Sequence, residues 1–144
     1  MSGNVIYRGP IAKEPQTLNL PVNGAHTPGL IVVENGVQFS AAVAADATKK
    51  LWILSNRRFM GQDVQTAYVS GETAVAYELL PGEIYQARMA AGTYTKGQEL
   101  TVDANGRLAA AVAGNTILAY CDQAGTFTVG QLADVRIADK ATAA

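Results

Sequence analysis

Ala74-Val75-Ala76-Tyr77-Glu78-Leu79-Leu80 and Glu83-Ile84-Tyr85-Gln86-Ala87-Arg88-Met89 are two apolar-rich stretches separated only by Pro81-Gly82. Proline presets φ at the second position of a turn and glycine accepts the positive φ of the third, so the dipeptide predicts a type II turn. Two antiparallel strands are expected around it. The same grammar recurs over residues 68–137, where short apolar runs are cut by Ser70-Gly71, Lys96-Gly97, Asn105-Gly106 and Ala124-Gly125. Such spacing marks an all-β domain built from hairpins. Leu100 and Val102 alternate with Thr101 and Asp103, and Leu108, Ala110 and Val112 follow the Asn-Gly, which gives that hairpin one apolar face. Residues 117–121, 126–129 and 133–137 supply the last strands.

Toward the N-terminus, Gly29-Leu30-Ile31-Val32-Val33 and Val37-Gln38-Phe39 flank Asn35-Gly36, a hairpin with a tight primed turn. Residues 41–47 are alanine-rich but too short for a stable helix, so a loop or a single helical turn is expected. Leu51-Trp52-Ile53-Leu54, closed by Ser55-Asn56, reads as a buried strand. Residues 1–28 differ, with Pro10, Pro15, Pro21 and Pro28 recurring along them. Proline removes a backbone donor and biases its predecessor toward extended conformations, which predicts an extended arm. Val5, Ile6, Tyr7, Leu18, Leu20 and Val22 give the arm apolar anchors, so docking on its own domain, a sister subunit or another protein is expected in preference to a disordered tail. The small, polar residues 139–144 are expected to fray. The expected organisation is an arm over 1–28, a β-domain over 29–138 and a frayed tail over 139–144. The fold class is all-β, a compact barrel or sandwich of short antiparallel strands with an extended N-terminal arm.

A chain of 144 residues can bury a real core without metal or disulfide. Only 16% of residues are charged, against 49% hydrophobic, which suits a surface partly covered by a partner. The net charge is −1 and the basic residues are scattered, so no phosphate-tracking stripe is present and nucleic acid is not an expected ligand. One cysteine forms no intramolecular disulfide, and the start Met-Ser-Gly-Asn-Val lacks the pattern of a signal peptide, so folding in a reducing cytoplasm is expected. No window has the apolar length of a membrane-spanning helix.

Residues able to carry chemistry are few. His26 has no second histidine with which to converge on a metal or substrate, and Cys121 has no basic neighbour in sequence to lower its pKa. A surface histidine and a buried structural thiol are expected. The aspartates match no calcium loop, and Asp103-Ala104-Asn105-Gly106 is explained by its turn. Phosphate-cradling, dinucleotide-binding and nucleophile-elbow motifs are all missing. The expectation is a non-enzymatic protein with no catalytic residue, cofactor or metal. Arg57-Arg58-Phe59-Met60 has the composition of an interface hot spot, since guanidinium forks pair with carboxylates while Phe and Met fill pockets. Its alternative is a solvated loop with Phe59 folded into the core. The candidate interface therefore comprises Val5, Ile6, Tyr7, Arg8, Leu18 and Leu20 of the arm with Arg57, Arg58, Phe59 and Met60. Six tyrosines and one tryptophan leave a sugar-binding face open, although Trp52 lies within an apolar run and is expected in the core.

Pro28-Gly29, Lys50-Leu51-Trp52, Asn56, Gly61, Ala67-Tyr68, Gly71-Glu72-Thr73, Pro81-Gly82-Glu83, Ala91-Gly92, Lys96-Gly97 and the closing Asp134-Val135-Arg136-Ile137 follow one another in a recognisable order. In that order the chain resembles the head decoration, or cement, proteins of tailed bacteriophages over about residues 28–137. The resemblance implies a small β-domain on the outer surface of the expanded capsid, made in the host cytoplasm. It would bind the major capsid protein across adjacent subunits, associate with itself as a dimer or trimer, and stabilise the head. A carbohydrate-binding or adhesin-like β-module of the virion is the alternative.

Overall fold

The computed structural model describes residues 4–10 and 15–144. Among the described residues thirteen strands are formed: β1 (Tyr7–Gly9), β2 (Thr17–Pro21), β3 (Ile31–Asn35), β4 (Gln38–Ala41), β5 (Leu51–Ser55), β6 (Thr73–Glu78), β7 (Ile84–Met89), β8 (Gly92–Tyr94), β9 (Glu99–Val102), β10 (Leu108–Ala110), β11 (Thr116–Cys121), β12 (Gly125–Phe127) and β13 (Gln131–Thr142). Two single 3₁₀ turns, Ala44–Asp46 and Arg58–Met60, are the helical elements among the described residues. The fold is all-β, as the turn spacing predicts.

One sheet runs β1-β7-β10-β9-β11-β13 and closes on itself through β7–β13. β13 pairs with all of β7, from Gln131↔Met89 to Arg136↔Ile84, so β1 and β10 share the other edge of β7. The closed ring β7-β10-β9-β11-β13 is a small barrel, and closure removes the exposed edges that an open sheet would present. The β7–β10 pairing is parallel, the one departure from the expected antiparallel pattern in this ring. The second sheet, β2-β6-β5-β3-β4, packs on the barrel. β5 is buried on both sides: Leu51 and Ile53 join the main core with Tyr85, Leu100 and Val135, while Trp52 and Leu54 join a second core with Phe39, Tyr68 and Ala76. An uninterrupted apolar run is the sequence signature of such a doubly covered strand.

The Pro81-Gly82 turn forms as predicted, with Gly82 at φ +89° and Glu83 N–H donating to Leu80 O at 3.3 Å. Its flanking strands, however, do not pair with each other. β6 lies in the second sheet and β7 in the barrel, so the turn carries the chain from one sheet to the other. Glu83 fixes this crossing, because its Oε1 accepts both Leu80 N–H at 3.1 Å and the buried Tyr85 hydroxyl at 2.8 Å. Burial, with the Glu83 carboxylate beside it, holds the Tyr85 hydroxyl far above the usual tyrosine range and therefore protonated.

The other hairpins pair as expected, β3 with β4 and β9 with β10 in antiparallel register, but Ala110 and Val112 are exposed, so the expected apolar face of the second stops at Leu108. Gly106 in the β9–β10 turn has a tertiary reason as well as a local one. Its φ is +75°, its carbonyl accepts Ile31 N–H at 2.8 Å, and a Cβ there would stand 2.7 Å from Ile31 O. Gly106→Ala is expected to destabilise the fold by roughly 1–3 kcal/mol through strain and a lost inter-sheet contact, measured as a lowered urea midpoint. A midpoint equal to that of the native sequence would show that the two sheets can shift at no cost.

The termini correct the expected organisation. The described part of the arm belongs to the domain's own sheets: β1 adds to β7, and β2 pairs with β6 over five residues from Thr17↔Tyr77 to Pro21↔Thr73. Ile6 is 1% exposed, inside the main core. At the other end β13 continues to Thr142, with Ile117↔Ala141 and Thr116↔Thr142 in register, and Ala143 is buried against Ile117 and Ala138. Apolar contact at Ala143 and the pairs formed by Ala141 and Thr142, beyond an irregularity in the β11–β13 register, hold the segment that small, polar composition predicts to fray.

Candidate binding surface

β5 ends at Ser55, and the next seventeen residues lead to β6 as a loop anchored by its own polar side chains. Asn56 Nδ2 donates to Gln62 O at 2.8 Å, while Gln62 Oε1 accepts Arg57 N–H at 2.8 Å and Gln62 Nε2 donates to Thr66 O at 2.9 Å. Arg57 bridges the loop: its Nη2 lies 3.1 Å from Glu72 Oε2, and its guanidinium stacks 5.0 Å from the ring centroid of Tyr68. Tyr68 is fully buried and donates to Ser55 O at 2.5 Å. Glu72 accepts Val69 N–H at 2.6 Å, and this bond, together with the Arg57 fork, lowers its carboxyl pKa below the usual range. The loop is therefore held in shape around its tip.

At that tip the 3₁₀ turn Arg58–Met60 presents Phe59 at 79% exposure and Met60 at 65%. Phe59 does not fold back into the core. Arg58 is exposed beside them and makes no ion pair or side-chain hydrogen bond among the described residues. Holding a bulky aromatic and a thioether in water on a braced loop offers apolar area whose burial requires little further ordering. The four-residue cluster thus divides: Arg57 works internally, and Arg58, Phe59 and Met60 face outward.

The arm residues are placed differently. Ile6 is in the core and Tyr7 packs against Tyr77 and Tyr85 at centroid distances of 5.9 and 5.4 Å. Val5 is half-buried and its carbonyl accepts from Gln86 Nε2. Arg8 reaches Asp134 at 3.6 Å, and Leu18 and Leu20 are half-buried against the second core. These side chains serve the domain's own packing, so the structure does not gather them into one surface with the loop tip. Sequence reasoning missed further exposed apolar residues, Val37, Val69, Val112 and Val129, all outside the strands. Valines beside turn glycines were the available signal.

His26 Nε2 lies 3.0 Å from Asn23 O. Cys121 is 1% exposed, its thiol donates to Gln123 O at 3.1 Å, and burial pushes its pKa up. Trp52 is in the second core, 4% exposed. Among the described residues no three His, Cys, Asp or Glu side chains come together as a metal site would require. The surface carries an apolar groove of about 370 Å³ between the sheets, lined by Leu51, Leu79, Leu118 and Ile137, and a polar cavity of about 320 Å³ around Arg88 and Arg107.

No known protein family matches the chain, and no curated protein matches it. Among solved structures, the N base of the head fiber gp8.5 of bacteriophage phi29 is similar, with a TM-score of 0.58 at 11% identity. The alignment covers 85% of this chain and 93% of that one. At such low identity the likeness establishes a shared fold and carries no residue across.

Proposed function

We propose that this protein is a structural component of a tailed-phage virion that sits on the outer surface of the head and cements adjacent major capsid subunits. The observation that carries the reading is the fold it has in common, over most of both chains, with the base of a phage head fiber. The order of turn and strand residues, which resembles that of head decoration proteins, supports the same class independently. The mechanism is mechanical. A module that binds only where subunits meet in the expanded shell adds interface free energy to that state alone, so mass action favours the intact head.

The Arg58–Met60 tip is the contact we assign to this binding. Burying Phe59 and Met60 is worth roughly 1.5–3 kcal/mol each before ordering costs, and the braced loop keeps those costs low. The double substitution Phe59→Ser with Met60→Ser is expected to weaken co-sedimentation with empty heads by at least about tenfold, or ~1.4 kcal/mol, while leaving the melting temperature unchanged. Undiminished binding by that variant would remove the tip from the interface. Saturation at a fixed number of copies per head supports cementing. A module carried as the base of a projecting adhesin is the second reading, favoured by the same fibre-base fold; retention on a glycan array without head binding would select it.

A further inference from the structure

The cavity of about 320 Å³ has a lining that includes His26, Leu30, Ala41, Arg88, Asn105 and Arg107. Among the described residues this lining holds two guanidinium groups and one imidazole but no carboxylate. No acid comes within ion-pair distance of either arginine among the described residues. The nearest acid along the chain, Asp103, is committed to its own turn: its Oδ1 accepts Asn105 N–H at 2.7 Å and Arg107 N–H at 3.1 Å. A cavity walled by unmatched positive charge and floored by Leu30 and Ala41 attracts a small anion with an apolar body.

The number of donors left over narrows the anion. Arg88, 6% exposed, spends four hydrogen bonds on protein oxygens, those of Pro28, Val64, Gln65 and Gly130. Arg107 has no side-chain partner among the described residues. One free guanidinium fork matches the two oxygens and the single charge of one carboxylate. We propose that this cavity is a binding site for a single carboxylate group, held by Arg107 within the positive field of Arg88. An acidic sugar and an Asp or Glu side chain of a neighbouring protein both carry that group.

The test is a titration of the ¹⁵N-labelled protein at low ionic strength, where screening is weak, with D-glucuronate, N-acetyl-aspartate amide and inorganic phosphate in separate arms. Saturable shifts centred on the amides of Ala104, Asn105, Arg107 and Gly130 are expected with the carboxylates. Arg107→Gln should weaken that response at least about tenfold, and Lys96→Gln, which removes the same charge elsewhere, should leave it intact. The tighter of the two carboxylate arms identifies the source. Absence of saturation by either carboxylate, tighter binding of phosphate, or an unchanged response in Arg107→Gln would overturn the assignment.

Discussion

Removing residues 1–21 is expected to abolish the cooperative fold rather than release a trimmed domain. The deletion takes away Ile6 from the main core, Tyr7 from its cluster with Tyr77 and Tyr85, and Leu18 and Leu20 from the second core. It also strips the ladder that β2 forms along the whole of its length with β6. A fully buried isoleucine is worth roughly 1.5–3 kcal/mol, so with three partly buried apolar side chains the loss reaches the ~5–15 kcal/mol by which whole domains are stable. The bared edge of β6 would in addition template aggregation. Dispersed amide resonances and a sigmoidal melt in the truncated protein would refute this. Ile6→Asp offers a milder version, expected to lower the melting temperature sharply without removing the strand.

That expectation follows from the arm docking on its own domain, one of the three surfaces the sequence leaves open, and where the prolines stand is compatible with it. Pro10 follows β1, Pro15 precedes β2, and Pro21 is the last residue of β2, an edge strand. Proline at the ends of short edge strands costs no ladder bond, so the spacing that argues against regular structure is equally the punctuation of two brief strands. Val5, Ile6, Tyr7, Leu18 and Leu20 supply the apolar signal, but a sequence does not say which surface an anchor meets. The Pro81-Gly82 turn teaches the same distinction. Its geometry is local and legible, whereas the separation of β6 and β7 into different sheets depends on partners that are distant in sequence, Trp52 and Ile53 for β6 and the 131–136 stretch for β7.

Of the candidate surface, the Arg58–Met60 tip was legible because Phe and Met beside paired arginines are unusual in a turn, and exposure then separates the outward members from Arg57. The 320 Å³ cavity was not legible. His26, Arg88 and Arg107 come from three separate segments, and nothing near Arg88 in sequence marks it as buried. Gln86 on the same face of β7 is buried too, and Tyr85, Ala87 and Met89 fill the opposite face, so β7 has no solvent face on which an arginine would be expected.

Arg88 accordingly carries a large single-residue effect. Its Nε donates to Pro28 O at 2.8 Å, one Nη to Gly130 O at 3.0 Å and Gln65 Oε1 at 3.3 Å, and the other to Val64 O. It thereby ties together the entry to β3, the loop before β6 and the turn before β13. Desolvation lowers its pKa, but a guanidinium starts so high that it stays charged at neutral pH. Arg88→Met keeps much of the volume yet leaves buried carbonyls of three segments without a donor, at about 1–3 kcal/mol for each orphaned group. A total of about 3 kcal/mol or more lowers the melting temperature of a chain this size by about 10 °C. Arg88→Lys should recover little, because a point-like ammonium does not span acceptors that a planar fork reaches on separate sides. Thermal melts of both variants check this: an Arg88→Met melt within about 2 °C of the native protein would mean that the three segments hold their positions through the apolar cores alone, with the guanidinium a passenger.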